Sequence, residues 1–151
     1  MGEAWRIIKE KRAATAFTGE GAAKTGGRWN SRGVPVVYTS CTKALATLES
    51  LVHLNPPVTF RYVAFLLTFH DSLVEAFPAG NLPADWRDEP PPPSTKIIGD
   101  DWVKAARSAV LALPSAITGE TNYLLNPVHP DFKQIAIGKP EPFTFDPRLL
   151  A

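Results

Sequence analysis

The chain has 151 residues, of which 44% are hydrophobic and 21% charged, and its formal net charge is +1. This length can form one domain with a buried core without disulfides or metal ions, and the composition is typical of a globular protein. A nearly balanced charge gives no long-range attraction for nucleic acid or an anionic membrane, so we expect direct contact with neither. A single cysteine, Cys41, cannot form an intrachain disulfide. Because the three histidines also lack paired ligand spacing, we expect no metal site.

The N-terminal segment carries charges from Glu3 onward and has no uninterrupted apolar stretch, so it lacks the pattern of a signal peptide. The longest apolar run, Val63 to Leu67, is too short to cross a bilayer. The sequence contains no internal repeat. We therefore expect one cytoplasmic domain over residues 1–151.

The first half of the chain predicts a strand, a helix and a second strand. The run from Val34 to Thr39 is apolar and β-branched and predicts a short strand. Ser40 or Thr42 can cap a helix from Lys43 to Leu54, which must end before the Asn-Pro-Pro at 55–57. Val58 to Phe69 is rich in β-branched and aromatic residues and predicts a long, largely buried strand.

The second half predicts less regular structure around one helix. Residues 73–89 read as irregular, and the prolines at 90–93 predict an extended polyproline segment. Asp100 or Asp101 can cap a helix from Trp102 to Leu113, which Pro114 ends. The helix is indicated by an apolar stripe at Trp102, Ala106, Val110 and Leu113. Short strands are predicted at Ser115 to Thr118 and Phe132 to Ile137, before a proline-rich tail from Lys139.

These elements interleave without a regular βαβ repeat. The pattern predicts an α+β fold, with a mixed sheet and flanking helices.

A glycine-rich block lies early in the chain, as Gly19-Glu20-Gly21 and then Gly26-Gly27-Arg28-Trp29-Asn30. It lacks the Gly-Lys-Ser/Thr of a Walker A loop, and it is not a dinucleotide fingerprint because we expect no strand before it and no helix after it. Glycine lets the backbone approach a ligand, and the planar fork of Arg28 suits a diphosphate. We interpret the block as a flexible loop that presents Arg28 and Trp29. The alternative is a plain hairpin loop whose Arg28 forms a surface salt bridge.

Glu49 lies on the first predicted helix, among apolar residues. One side of this helix carries Leu45, Leu48 and Val52, and the other side carries Leu51 and Leu54. We therefore expect most of the helix to be covered, and a carboxylate in such a position must pair, ligate or line a cavity. Partly desolvated carboxylates are frequent catalytic groups, although structural ion pairs share the pattern. Glu49 is thus a candidate catalytic residue, whereas His53 is read as structural.

Ser115 follows the second predicted helix, and Asn122, Asn126-Pro127 and His129-Pro130 come after it. A serine at such a point can simply satisfy backbone groups. The chain has no Gly-x-Ser-x-Gly elbow, so a hydrolase nucleophile is not supported.

Taken in order, these motifs resemble the RES family, which is named for an Arg, a Glu and a Ser. The match begins at Trp5-Arg6-Ile7 and extends over nearly the whole chain. It is carried by the segments Gly19–Ala22, Gly26–Asn30, Val37–Ser40, Ala44–His53, Gly99–Trp102, Pro114–Ala116 and Leu125–Pro130, together with Gly33. The sequence departs from the family pattern at Thr118-Gly119, where we would expect a proline.

The resemblance implies the toxin of a RES–Xre toxin–antitoxin pair, with a fold similar to that of ADP-ribosyltransferases. Such proteins deplete NAD⁺ by hydrolysis or phosphorolysis, and some transfer ADP-ribose to a protein. NAD⁺ would be the substrate, with no metal. A separate Xre-like antitoxin would block the pocket, and a homodimer within the complex is compatible with the resemblance. A non-enzymatic module that binds a nucleotide or a partner is the competing class.

The resemblance also assigns roles to residues. Glu49 would stabilise the oxocarbenium-like transition state that forms as neutral nicotinamide leaves. Arg28 would hold the diphosphate, Tyr38 would stack near the nicotinamide, and Ser115 would bond to a ribose or phosphate. Trp29, Asn30 and Asn126 complete the expected NAD⁺-binding set. The acceptor stays open between water, phosphate and a protein side chain; Arg6 and Arg32 are candidates for holding a phosphate.

Overall fold

The computed structural model describes residues 1–54 and 58–150. In chain order its strands and α-helices are β1 (Gly2–Lys9), α1 (Glu20–Thr25), β2 (Val37–Ser40), α2 (Lys43–Leu51), β3 (Tyr62–Phe69), β4 (Val74–Ala76), α3 (Pro93–Ala105), β5 (Val110–Pro114), β6 (Thr121–Leu125), β7 (Ala136–Ile137) and β8 (Glu141–Phe143). Short 3-10 helices cover Glu10–Thr15, Asp71–Leu73, Ala79–Asn81, Pro130–Gln134 and Pro147–Leu150. In the described residues no helix is both long and apolar enough to cross a membrane.

The strands form one mixed sheet in the order β4-β5-β6-β2-β1-β3-β7, with β8 also paired to β3. All pairs are antiparallel except β4 with β5. Successive side chains of a strand point to opposite faces, so Val37 and Leu125 pack into one buried cluster, and Tyr38 and Leu124 into another. The second cluster also contains Trp29 and Trp102. The predicted α+β class with a mixed sheet is thereby confirmed.

Three elements of the first half were predicted at nearly their observed positions. They are the strand that runs from Val37 to Ser40, the helix from Lys43 to Leu51 and the strand from Tyr62 to Phe69. Thr42 caps the helix by accepting a hydrogen bond from the Leu45 backbone N–H at 3.0 Å. The Asn-Pro-Pro segment at 55–57 lies outside the described residues.

The second predicted helix was placed about nine residues too late. The observed α3 begins at Pro93 and ends at Ala105, where Ala106 adopts a left-handed conformation with φ of 50°. Asp100 and Asp101 therefore lie inside this helix and do not cap it. The helical spacing of Trp102, Ala106, Val110 and Leu113 is coincidental, because Val110–Pro114 is β5, an inner strand of the sheet. Both faces of a central strand are buried, which gives an apolar run that periodicity cannot distinguish from a helix.

Other predictions also need correction. Residues 115–118 form the turn between β5 and β6 and not the start of a strand, and Pro130–Gln134 is a 3-10 helix that leaves only Ala136–Ile137 as strand. The proline run is not wholly extended, because Pro93 is the first residue of α3, a position where a missing N–H costs nothing. The irregular stretch contains the short strand β4. Four further elements were not predicted: β1, β6, β8, and α1 within the glycine-rich block.

Candidate active site

Glu49 lies on the last turns of α2, which packs against β1 and β2. The expectation that most of this helix is covered was wrong. Leu45 is buried, but Leu48 is 38% exposed and Val52 is 62% exposed. Glu49 itself is half-buried. The carboxylate therefore sits where an exposed surface meets the sheet, and a ligand can approach it from solvent.

Each carboxylate oxygen of Glu49 accepts one hydrogen bond from a polar residue at the end of the sheet where β5 turns into β6. The Ser115 hydroxyl donates to Oε1 at 3.2 Å, and the Asn122 amide donates to Oε2 at 3.0 Å. The Ser40 hydroxyl in turn donates to the side-chain oxygen Oδ1 of Asn122 at 2.7 Å. Ser40 and Asn122 are direct cross-strand partners of β2 and β6, so the sheet register creates this contact. We call Ser40, Glu49, Ser115 and Asn122 the carboxylate cluster.

Ser115 is completely buried at the start of the tight turn between β5 and β6. Its hydroxyl oxygen accepts hydrogen bonds from the backbone N–H groups of Ile117 at 3.1 Å and Thr118 at 3.3 Å. The turn is closed by Gly119 N–H donating to the Ser115 carbonyl at 2.8 Å. Ser115 thus satisfies backbone groups, as the sequence suggested, and it also contacts Glu49, which the sequence did not predict.

The charge of Glu49 is not neutralised by a basic group. Both hydrogen-bond donors are neutral, and none of the ion pairs formed within residues 1–54 and 58–150 involves this carboxylate. The donors hold the carboxylate in one orientation, while each oxygen keeps lone pairs for another partner. A fixed, unpaired negative charge is suited to stabilising a developing positive charge.

The glycine-rich block is held rigidly, so the prediction of a flexible loop was wrong. The α3 helix carries three contacts to it: Thr95 Oγ1 donates to the Arg28 carbonyl at 2.6 Å, Lys96 Nζ to the Gly27 carbonyl at 2.6 Å, and Asp100 accepts from Ser31. Gly99 lies directly beneath the Trp29 carbonyl, where a Cβ would overlap that oxygen. These contacts were missed because the sequence placed the helix too late.

Tyr38 fastens the same block from the sheet side. Its hydroxyl donates to Asn30 Oδ1 at 2.6 Å and accepts from the Trp29 backbone N–H at 3.0 Å. Burial raises the pKa of Tyr38, and the negative charges of Asp100 and Glu49 raise that pKa further, while Arg28 lowers it. The Tyr38 hydroxyl is therefore neutral and lies within electrostatic range of both Arg28 and Glu49.

Trp29 and Asn30 are buried parts of the block. Trp29 is 3% exposed and belongs to the second core cluster. Asn30 is fully buried, and its amide donates to the backbone carbonyls of Ala22, Ser31 and Val34. Both side chains shape the loop from inside.

Arg28 is clamped by a distant segment. Its Nη1 donates to the carbonyls of Trp86 at 2.9 Å and Asp88 at 2.7 Å, and its Nη2 pairs with the Glu89 carboxylate at 2.8 Å. The Arg28 side chain is only 14% exposed. The salt bridge considered from the sequence is therefore present, within a larger arrangement. We call Arg28 with the segment 86–89 the arginine clamp.

Two further candidates lie off these clusters. Arg6 on β1 donates to the Tyr38 carbonyl at 2.9 Å, and burial lowers its pKa to about 10, so it stays charged at neutral pH. Asn126 is fully buried, and its Oδ1 accepts from the Val128 N–H at 3.1 Å. Arg6 Nε and Asn126 Nδ2 are both buried without a hydrogen-bond partner.

Arg32 and His53 are exposed. The described residues contain no cluster of three His, Cys, Asp or Glu able to hold a metal ion.

Comparison with known proteins agrees with this picture. The RES domain model matches residues 3–146. The chain is 41% identical over 154 residues to a protein of Sphingobium sp. (strain YBL2) named Prs ADP-ribosylating toxin, with 97% of this chain and 95% of that protein covered. It is 36% identical over 148 residues to Toxin Res of Yersinia enterocolitica, with 96% and 97% covered.

The fold is similar to a chain in the crystal structure of the M. tuberculosis MbcT–MbcA toxin–antitoxin complex. The TM-score is 0.75 at 18% identity, and the match covers 95% of this chain and 84% of that one. The fold and the family model together define a RES-type α+β domain. The chain belongs to the RES family, and the resemblance drawn from its motifs is confirmed.

Proposed function

We propose that this protein is the toxin of a toxin–antitoxin system and that it cleaves the nicotinamide–ribose bond of NAD⁺. The observation that carries the proposal is the half-buried Glu49 carboxylate, which two neutral donors hold and which has no basic partner among the described residues. The names of the relatives, toxins in each case, support the biological role. A non-enzymatic nucleotide-binding module would have no need for such a carboxylate.

The leaving group needs no proton, and the one proton that must be moved is the one that an attacking water loses to solvent. Nicotinamide leaves as a neutral molecule, and positive charge develops on the ribose as the bond breaks. An oriented anion beside the ribose lowers the energy of this transition state. Ser115 and Asn122 act as positioning residues, since their hydrogen bonds keep the carboxylate from rotating away. Glu49 can then orient the acceptor that attacks the ribose carbon.

We assign the diphosphate to the side of the pocket next to the arginine clamp. Three of the five N–H donors of Arg28 bind segment 86–89, which leaves two for a ligand. The ring of Tyr38 would lie near the nicotinamide, while its hydroxyl holds the Arg28 loop. Trp29, Asn30 and Asn126 would support the NAD⁺ site from beneath, because all three are buried. Ser115 would contact a ribose or phosphate in addition to Glu49.

We favour water as the acceptor, because it needs only space and an orienting carboxylate. Phosphate beside Glu49 would be repelled without a nearby cation. Transfer of ADP-ribose to a protein is the second candidate function, favoured by the name of the 41%-identical relative. All three outcomes use the same bond cleavage and differ only in the nucleophile.

We further propose a cytoplasmic antitoxin of the Xre-like, helical kind as the partner, in a complex that can include a toxin homodimer. Three exposed apolar side chains are close in sequence to the carboxylate cluster. Leu48 precedes Glu49, Val52 follows Glu49 by three residues, and Ile117 follows Ser115 by two. A partner that covers these side chains would also cover Glu49. The toxin–antitoxin complex of similar fold supports this assignment.

Incubation of the purified protein with NAD⁺ tests the function. We expect release of nicotinamide, measured by chromatography, with ADP-ribose identified by mass spectrometry as the second product. Addition of millimolar phosphate, or of cell extract, shows whether a ribose phosphate or a modified protein replaces it. Absence of nicotinamide release from folded protein under all three conditions would rule out the proposal.

The toxin role is tested by expression in cells. Expression of the chain alone should arrest growth and lower cellular NAD⁺, and Glu49→Gln should relieve the arrest. Normal growth with abundant soluble wild-type protein would contradict a toxin.

A further inference from the structure

Arg87 is an arginine that sequence reasoning did not single out. It lies in the middle of the segment that Arg28 binds, between the two carbonyls of Trp86 and Asp88 that share one nitrogen of Arg28. Two backbone hydrogen bonds, from Trp86 N–H to Pro83 and from Asp88 N–H to Asp85, shape this segment into consecutive turns. The backbone on both sides of Arg87 is therefore fixed.

The Arg87 side chain extends toward the turn that carries Ser115. Its guanidinium carbon lies 4.8 Å from the centre of the Trp86 ring. Its Nη2 lies 3.3 Å from the position that a Cβ on Gly119 would occupy. Gly119 in turn donates to the Ser115 carbonyl at 2.8 Å, and the Ser115 hydroxyl contacts Glu49. Arg87 thus lies between the arginine clamp and the turn that carries Ser115.

The charges in this segment are distributed unevenly. Glu89 pairs with Arg28, and Asp85 accepts a hydrogen bond from Ser94 at 2.6 Å. Arg87 is exposed, and over the described part of the chain it forms no ion pair. Asp88 is exposed to solvent as well, where its charge is screened. Arg87 therefore presents an accessible guanidinium fork beside the Ser115 turn, whereas the fork of Arg28 is largely filled.

We propose that Arg87 binds a phosphate group at the reaction site, and that Arg28 is the positioning residue that holds the segment carrying Arg87. This inference rests on the proposed NAD⁺ cleavage. A guanidinium binds a phosphate through two parallel charge-assisted hydrogen bonds, and stacking on Trp86 would keep the fork oriented. The phosphate belongs either to the NAD⁺ diphosphate or to inorganic phosphate acting as acceptor.

The test compares Arg87→Ala and Arg87→Lys with wild type in the nicotinamide-release assay. Loss of a charge-assisted bidentate contact should raise the KM for its ligand about 10- to 100-fold, with a much smaller change in kcat. Lysine should recover only part of the affinity, because it is a point charge. Arg12→Ala is the matched control: it removes the same charge from an exposed position on the 3-10 helix after β1 and should leave the KM unchanged.

Separate titrations identify the source of the phosphate. A raised KM for NAD⁺ at fixed phosphate assigns Arg87 to the diphosphate, and a raised KM for inorganic phosphate at saturating NAD⁺ assigns it to the acceptor. Wild-type values of both constants in Arg87→Ala, with wild-type thermal unfolding, would overturn the inference. An inactive wild-type protein would instead refute the proposed function, so the two failures are distinguishable. Arg87 is exposed, so we expect its variants to fold as wild type does, and thermal unfolding of each variant checks this.

Discussion

The carboxylate cluster and the arginine clamp lie on the same face of the sheet but are built in different ways. Glu49 is held by side chains, which strand pairing brings together across 66 and 73 residues of sequence. Arg28 is held mainly by backbone carbonyls of a loop. A change at Glu49 therefore removes a charge and leaves the framework intact, whereas a change at Arg28 also releases the segment that it holds.

Because the two regions are built differently, their variants should affect different quantities. Variants of the carboxylate cluster should lower kcat, because Glu49 acts on the developing charge. Variants of the arginine clamp should raise KM or lower stability, because the clamp fixes loops. The following predictions test this separation, from the largest expected effect to the smallest.

Glu49→Gln should have the largest effect on turnover. The amide keeps the shape of the side chain but loses the negative charge, so kcat should fall by at least about 10²-fold with little change in stability. Nicotinamide release and thermal unfolding measure the two quantities. Glu120→Gln, which changes an exposed glutamate in the turn between β5 and β6, is the control and should behave as wild type. A Glu49→Gln protein with wild-type kcat would remove the carboxylate from the mechanism.

Gly99→Ala should have the largest effect on stability. A Cβ at this position overlaps the Trp29 carbonyl oxygen, and neither backbone can move without shifting α3 away from the glycine-rich block. We expect a loss of about 3 kcal/mol in the free energy of unfolding, measured in urea. Gly21→Ala is the matched control, since a Cβ there meets no atom within 4 Å. Equal stability of the two variants would show that α3 does not hold the block as described.

The two regions also differ in how far the sequence predicted them. The helix bearing Glu49, its Thr42 cap and the neighbouring strands follow from local patterns, and the family resemblance assigned Glu49 and Ser115 to one NAD⁺ site. Asn122 was noted, but its contact with Glu49 depends on the pairing of β2 with β6, which no local pattern encodes. The same holds for Ser40.

The arginine clamp was hidden for a different reason. Its partners come from residues 86–89, a stretch that reads as irregular and whose carbonyl groups carry no side-chain signature. The prediction placed α3 too late for two reasons. The last proline of the run is the first residue of the helix, and the apolar strand β5 was read as part of a helix. The structure of this region depends on its turns and on tertiary contacts, which hydrophobic periodicity does not predict.

Arg28→Lys should have an intermediate effect, mainly on binding. A lysine lacks the planar fork with which Arg28 binds two carbonyls and a carboxylate at once. Segment 86–89, and Arg87 within it, would therefore lose its position. We expect the Kd for NAD⁺ to rise about ten-fold, which corresponds to about 1.4 kcal/mol. Calorimetric titration in the Glu49→Gln background avoids turnover. Arg12→Lys is the control, and equal affinity of Arg28→Lys and its parent would leave Arg28 with only a surface salt bridge.

Tyr38→Phe should have the smallest effect and distinguishes the two roles of this residue. The variant keeps the ring but removes the hydroxyl that holds Trp29 N–H and Asn30 Oδ1. Because those two buried groups then lack a partner, we expect a loss of about 1 kcal/mol in the free energy of unfolding.

If the ring packs near the nicotinamide, kcat and the KM for NAD⁺ should both stay within about three-fold of wild type, since a change of that size is below about 1 kcal/mol. Tyr62→Phe is a suitable control, because the Tyr62 ring packs edge-on against Phe145 and its hydroxyl takes part in none of the side-chain hydrogen bonds of the described residues. A large fall in kcat for Tyr38→Phe without loss of stability would mean that the hydroxyl itself acts on the substrate. Such a result would group Tyr38 with the carboxylate cluster, as a residue that acts on turnover, and not with the arginine clamp. The effect of the Glu49 charge on the pKa of Tyr38 would then bear on the reaction itself.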